Sequence, residues 1–257
     1  MLDRIRTWRR RRIVDRHAPP ATLWAEVLDS LPLMTGLSAP ARDQLRELAT
    51  LFMHKVQVVP AEGVMLSERD RWCLAAQACL PILNLGLDWY ETCATLVVYP
   101  GSFVARHHYR DEAGVEHEDV SPLSGEAWDS GPVVLSWEDA HGAGELDGYN
   151  VVIHEFTHKL DMLNGAANGH PPLHADMPGR DWTRAFTTAF EDFTNRVEQD
   201  EAPDVLDIYA AESPAEFFAV ASESFFELPH RLRALYPAVY QQLSLFYRQT
   251  PADRLPS

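Results

Sequence analysis

Residues 151–163 read Val-Val-Ile-His-Glu-Phe-Thr-His-Lys-Leu-Asp-Met-Leu, and this run leaves the chain little choice of local structure. Its apolar positions recur at helical spacing, and Asn164-Gly165 is a good helix stop. His154 and His158 then stand one turn apart on one helix face. The apolar lead-in argues that this face is buried, and a buried imidazole needs a partner. Two neutral imidazoles plus an oxygen ligand suit zinc. Glu155 points at the open side of such an ion, where it can take a proton from water. The bland alternative is a surface helix carrying two unconnected histidines.

The rest of the chain must supply a core around that helix. With 257 residues, 46% of them hydrophobic, it can build one substantial core with a smaller helical lobe. The net charge of −16 argues against direct nucleic-acid binding, which needs a basic face. The charge is uneven. Residues 1–16 hold seven Arg and two Asp, a local +5, which leaves −21 on the remainder. The run Arg9-Arg10-Arg11-Arg12 suits an anionic membrane surface or an acidic partner, or is a solvated helix start. No apolar segment follows it as in a secretory signal, and no stretch is long and apolar enough to span a membrane. Cys73, Cys79 and Cys93 are odd in number and lack zinc-ligand spacing. They read as free thiols in a reducing compartment, the cytoplasm.

Helical periodicity runs through residues 1–54, with Ser38 a helix start before Pro40. Ser67 and Asp70 form a capping box ahead of a helix ending near Leu80. Val56–Val59, Thr95–Tyr99, Phe103–Ala105 and Pro132–Trp137 read as strands, and 110–130 as an acidic loop or hairpin. The glycine-rich 140–148 is a turn into the motif helix. Trp182–Phe193 is amphipathic, Ser213-Pro214-Ala-Glu216 opens another helix, and a last helix spans 229–247. Helices, then strands, then helices make an α+β fold with a small mixed sheet. The expected division is a basic extension over 1–20 and one domain over 21–257. Within that domain the parts are a helical part at 21–80, the sheet and motif helix at 81–165, and a helical part at 166–257.

Catalytic zinc takes three protein ligands and one open position. Candidates for the third are Asp161, Glu212, Glu216, Glu223, His170 and His174. Glu216 opens a strongly apolar helix that must pack inward, and an inward carboxylate needs a compensating cation. Its alternative role is reciprocal capping with Ser213. Glu223, seven residues later on the same face, fits a supporting position. Asp161 fits one too, holding the second nitrogen of a ligand histidine. Glu212 reads as solvated. His170 and His174 lie in the loop after Gly165, close enough in sequence to fill the open position at rest.

The segments His154–Gly165, Tyr209–Glu223 and Gln77–Tyr90 resemble the Mlc titration factor A family over roughly residues 20–250. That family consists of bacterial zinc-dependent peptidases related to the catalytic domain of anthrax lethal factor. The resemblance implies a zincin-like fold with an active-site H-E-x-x-H helix. It also implies one Zn2+ per chain on His154, His158 and Glu216 in the gluzincin manner, and aminopeptidase-like action on small substrates. Lethal factor carries a tyrosine seven residues before its ligand glutamate, which implies an oxyanion-steadying role for Tyr209; an ordinary half-buried aromatic is the alternative. A G-x-M-E-N box upstream of the motif is absent, so exo- and endopeptidase action both stay open. The resemblance implies a second class of role as well, a regulator that binds and titrates an Mlc-like repressor protein. In zincins the strand beside the motif helix is an edge that pairs with extended substrate, and Val133–Trp137 is expected to serve so.

Overall fold

The computed structural model describes residues 2–101, 103–110, 116–123, 125–127 and 131–256, with the backbone alone for 2–4, 103–110, 116–123 and 126. Helices α1 (Leu2–His17), α2 (Ala21–Asp29) and α3 (Ala39–Lys55) come first, then strand β1 (Gln57–Pro60) and helix α4 (Glu68–Cys79). Next are β2 (Thr95–Tyr99), β3 (Phe103–Arg110), β4 (Glu116–Leu123), β5 (Gly125–Ala127) and β6 (Val133–Ser136). Helices α5 (Trp137–Gly142), α6 (Val151–Asp161), α7 (Gly179–Glu198), α8 (Pro214–Glu227), α9 (Pro229–Leu235) and α10 (Pro237–Tyr247) complete the chain. Local chemistry sets several boundaries. Ser38 Oγ accepts from Ala41 N at the start of α3, and Ser67 and Asp70 close the full capping box of α4.

The main sheet has the order β1-β2-β6-β5. The first two pairings are parallel, and β5 runs antiparallel to β6 with Gly125 opposite Leu135. The α+β class and the mixed sheet agree with the sequence reading. β3 and β4 form a separate antiparallel pair. Strands β4 and β5 fall inside the 110–130 stretch expected to be an acidic loop or hairpin, while 111–115, 124 and 128–130 lie outside the described residues. One expectation is corrected here. β6 pairs on both sides and all four of its residues are buried, so it is an interior strand and no docking edge. Among the described residues, the free edge on that side of the sheet belongs to β5.

Two helical boundaries also differ from the sequence reading. The region taken as a turn after β6 contains the short helix α5, started by Ser136 Oγ accepting from Asp139 N. The expected helix over 229–247 is two helices. Pro237 has no N–H to give and pushes Tyr236 out of helical conformation, to φ −124° and ψ 68°.

Helix α6 sits at the centre, with α4, α8, β5 and β6 around it. Beneath it, Phe156 packs edge-on to Phe52 of α3, with ring centroids 5.5 Å apart, and lies 4.9 Å from the Tyr90 ring. On the other side α8 is buried almost throughout. Phe217, Phe218, Phe225 and Phe226 meet Trp182 and Phe186 of α7 and Tyr240, Phe246 and Tyr247 of α10. Each such ring removed from water stabilises the fold by about 1.5–3 kcal/mol. These contacts hold α6 and α8 in fixed relation, which the site requires. The C-terminal tail laces back over the first helical part. Gln249 Nε2 donates to the Leu80 carbonyl at 2.7 Å, and the Arg254 guanidinium donates to the Thr35 carbonyl at 2.8 Å.

Candidate metal centre

Asn150 starts α6 as its N-cap, with Oδ1 accepting from Ile153 N at 3.0 Å. From that start, His154 and His158 project from one face toward the first turn of α8. Ser213 caps α8, its Oγ accepting from Glu216 N at 3.2 Å. Glu216 does not return the bond as a capping box would. Its carboxylate turns to the histidines instead: Oε2 lies 3.0 Å from His154 Nε2 and 3.3 Å from His158 Nε2. The two Nε2 atoms are 3.1 Å apart. Among the described residues these three side chains form the one group of His, Cys, Asp or Glu able to share an ion.

The donor set fits zinc. Bonds of about 2.0–2.1 Å at tetrahedral angles place donors about 3.3–3.4 Å apart, and the three separations match or fall a few tenths of an ångström short. Protons also favour an ion. Two imidazole nitrogens and a carboxylate oxygen facing one another need a shared proton at some contact, and one cation satisfies all three. The electrostatics agree. Burial opposes charge on His154, yet its bonds to Glu216 and Glu223 outweigh that and raise its pKa well above the ordinary value. Burial likewise works to raise Glu216, but the two histidines hold its carboxyl well below the usual range.

Glu155 is only 4% exposed, and its Oε2 has no hydrogen-bond partner. Burial pushes its carboxyl up to about 7, against the pull of the two histidines. A carboxyl poised near neutrality suits a group that takes and returns a proton. Its position depends on β5. A Cβ added at Gly125 would stand 2.3 Å from Glu155 Oε1, so only glycine lets the strand pass this close. Tyr209, in a single helical turn over Ile208–Ala211, presents its ring 6.0 Å from the His154 ring. Burial, then Glu216, Glu212 and Glu155, keep its hydroxyl protonated far above neutrality, so it is a donor.

The other candidates separate cleanly. Glu223 Oε1 lies 2.8 Å from His154 Nδ1, and its Oε2 accepts from Asn150 N. It thus orients one histidine from behind. Asp161 does not do this for His158. Its Oδ2 accepts from Asn168 N and Gly169 N at 2.8 and 2.7 Å, which ties down the following loop, while its Oδ1 and His158 Nδ1 stay unpartnered. Gly169 has φ +76° and passes against the Pro214 carbonyl, where a Cβ would stand 2.3 Å away. Glu212 is exposed. His174 is bonded to the Phe246 carbonyl at 2.8 Å and His170 lies against Trp182, so neither fills the open position.

Sequence reasoning missed Gly125, Asn150 and Glu227. Asn150 Nδ2 donates to Glu227 Oε1 at 2.8 Å and to Gln77 Oε1 at 2.9 Å, and Gly148 N donates to Glu227 Oε2 at 3.1 Å. Burial pushes the Glu227 carboxyl up to about 8, more than these bonds lower it. An Asn directly before an apolar helix was a readable N-cap signal. The three-residue strand around Gly125 carries no periodic pattern.

Comparison with known proteins gives a consistent result. The family model described as glucose-regulated metallo-peptidase M90 matches residues 5–248, so the match begins inside the arginine-rich helix. Proteins called Mlc titration factor A from Yersinia pestis (strain Pestoides F) and Yersinia pseudotuberculosis (strain YPIII) are each 36% identical over 234 residues. The aligned part covers 90% of this chain and 86% of theirs.

Proposed function

The chain belongs to the glucose-regulated metallo-peptidase M90 family, and we propose that it is a zinc-dependent peptidase of zincin-like fold. The observation that carries this reading is the meeting of His154, His158 and Glu216 beside the unpartnered Oε2 of Glu155. His154 and His158 with Glu216 would hold one zinc in the gluzincin arrangement. Bound there, zinc would supply a positive charge that acidifies water and polarises a carbonyl.

The remaining chemistry belongs to the chain's own groups. Glu155 Oε2 takes the proton of the attacking water and passes it to the leaving amine. The Tyr209 hydroxyl donates to the developing oxyanion, a contact that can contribute about 3 kcal/mol. Glu223 holds the His154 ring in orientation. Extended substrate adds to the free edge of β5, whose Gly125 runs beside Glu155. We take the substrates to be small peptides cut in an aminopeptidase-like way. We also take residues 21–257 to be a single peptidase domain following a basic extension over residues 1–20. The buried free thiols Cys79 and Cys93 favour a cytoplasmic setting, and no helix among the described residues is long and apolar enough to cross a membrane.

The name shared by the relatives supports a second reading, in which the chain binds and titrates an Mlc-like repressor and peptidase action is secondary. Glu155 separates the two, because a binding scaffold has no use for a buried carboxylate poised on the open side of a metal site. The test is zinc stoichiometry and aminoacyl-anilide hydrolysis on wild type and Glu216→Ala. One zinc per chain, weakened by the substitution, with chelator-sensitive hydrolysis, is expected. Full zinc retention in Glu216→Ala would overturn the ligand assignment. Stoichiometric zinc with no hydrolysis of any peptide would favour the regulator.

A further inference from the structure

Helix α1 breaks the electrostatic rule of the rest of the chain. Its residues 5–12 are exposed on every side, and they include Ile5 at 49% and Trp8 at 54% exposure. The Arg12 guanidinium lies over the Trp8 ring, 4.7 Å from its centroid. Its later turns pack on the body: Ile13 and Val14 are half-buried, and His17 stacks on His54 of α3 at 5.4 Å. Arg10 pairs with Asp88 at 3.0 Å. Among the described residues no carboxylate lies within ion-pair distance of Arg6, Arg9, Arg11, Arg12 or Arg16. This holds in a chain with 38 acidic residues against 22 Lys and Arg. Several of these arginines, with Trp8 and His54, line an open cleft of about 610 Å³.

We propose that α1 docks the protein on an anionic lipid bilayer, its arginines on headgroup phosphates and Trp8 with Ile5 in the interfacial layer. Segregating +5 into 16 residues while the remainder carries −21 gives the molecule a basic end. The acidic body does not cancel the attraction, because at physiological salt charges beyond about 8 Å of the surface are screened. Arginines alone would serve any phosphate ligand. Two large apolar side chains held in water among them are what a bilayer interface accommodates and a free phosphate does not.

The test is flotation of the full-length protein with vesicles of phosphatidylcholine alone or mixed with phosphatidylglycerol, at low and high salt. Wild type is expected to float only with the anionic vesicles and to be released by high salt. Each arginine near the surface is worth about fivefold in partition, so R6Q/R9Q/R12Q should weaken it about a hundredfold. W8A should weaken it too, and both variants should keep the wild-type melting temperature. No flotation of wild type with anionic vesicles at low salt would overturn the proposal, as would unchanged flotation of the triple variant. RNA oligonucleotide binding as tight as vesicle binding, lost in the triple variant and indifferent to W8A, would overturn it in favour of nucleic acid. A salt-sensitive dimer without vesicle binding would do so in favour of a second copy of the chain.

Discussion

Replacing Gly125 by alanine tests the site at its tightest point. The added Cβ would stand 2.3 Å from Glu155 Oε1, 2.6 Å from its Cγ and 2.7 Å from its Cδ, where ordinary contact begins near 3.4 Å. Either the carboxylate or the strand must yield by about 1 Å. β5 is held in register on β6 by pairing at Gly125, Glu126 and Ala127, so the carboxylate is the softer partner. A misplacement of about 1 Å in a reacting group can cost about a hundredfold in rate. That is about 2.7 kcal/mol of transition-state stabilisation, and it should appear in kcat. The substitution touches none of His154, His158 and Glu216, so zinc content should stay at the wild-type value. The assay is steady-state hydrolysis of a peptide anilide with zinc analysis on the same samples, for wild type, Gly125→Ala, Glu155→Gln and the double variant. Glu155→Gln should retain metal and sit at the floor, and adding Gly125→Ala to it should change nothing further. Wild-type kcat in Gly125→Ala with full zinc would refute the reasoning. So would equal, additive losses in both backgrounds, which would mean the alanine acts without Glu155.

Three further outcomes are expected. Glu223→Ala should weaken zinc binding by about 10–100-fold in a chelator competition, because His154 Nδ1 loses its partner; an unchanged dissociation constant would exclude that role. Tyr209→Phe should lower kcat by about a hundredfold with KM and zinc little changed, and a loss confined to KM would make it a binding residue instead. Glu227 gives a pH signature in stability. Its folded carboxyl is raised from 4.5 to about 8, so its contribution is full below about 4.5 and is lost as pH climbs through 8. Glu227→Gln does not titrate, so its melting temperature relative to wild type should rise between about pH 5 and 8 and level off above, with an upper bound of about 5 kcal/mol. Denaturation curves whose difference is flat across that range would show that the group titrates normally in the fold.

The motif helix could be read because 3.6-residue periodicity and a glycine stop speak within fifteen residues, although its N-cap Asn150 was passed over. The same held for the α4 capping box and for β2. Glu216 was legible because a carboxylate among phenylalanines has few other reasons to be there. The division of labour between Asp161 and Glu223 was not. Asp161 stands three residues from His158 in sequence, yet the loop at Asn168 and Gly169 claims it, while Glu223 reaches His154 across the packed pair α6 and α8. Likewise, whether β6 was edge or interior depended on β5, three residues without alternation inside an acidic stretch. Pairing across the sheet decides such questions, and a single strand does not carry that information. The break at Pro237 was there to be read, and the apolar run through it masked the signal.

The laced tail has a consequence for synthesis. Gln249 reaches Leu80 across 169 residues of chain, and Arg254 reaches Thr35 across 219. The first helices leave the ribosome long before the segment that supplies these donors. The Leu80 and Thr35 carbonyls therefore lack these two donors until residues 249–254 have been made. Long-range closures of this kind come late and slow the final step of folding. Cutting the chain before residue 249 would remove both donors, and the loosening would show in the first helical part, far away in sequence.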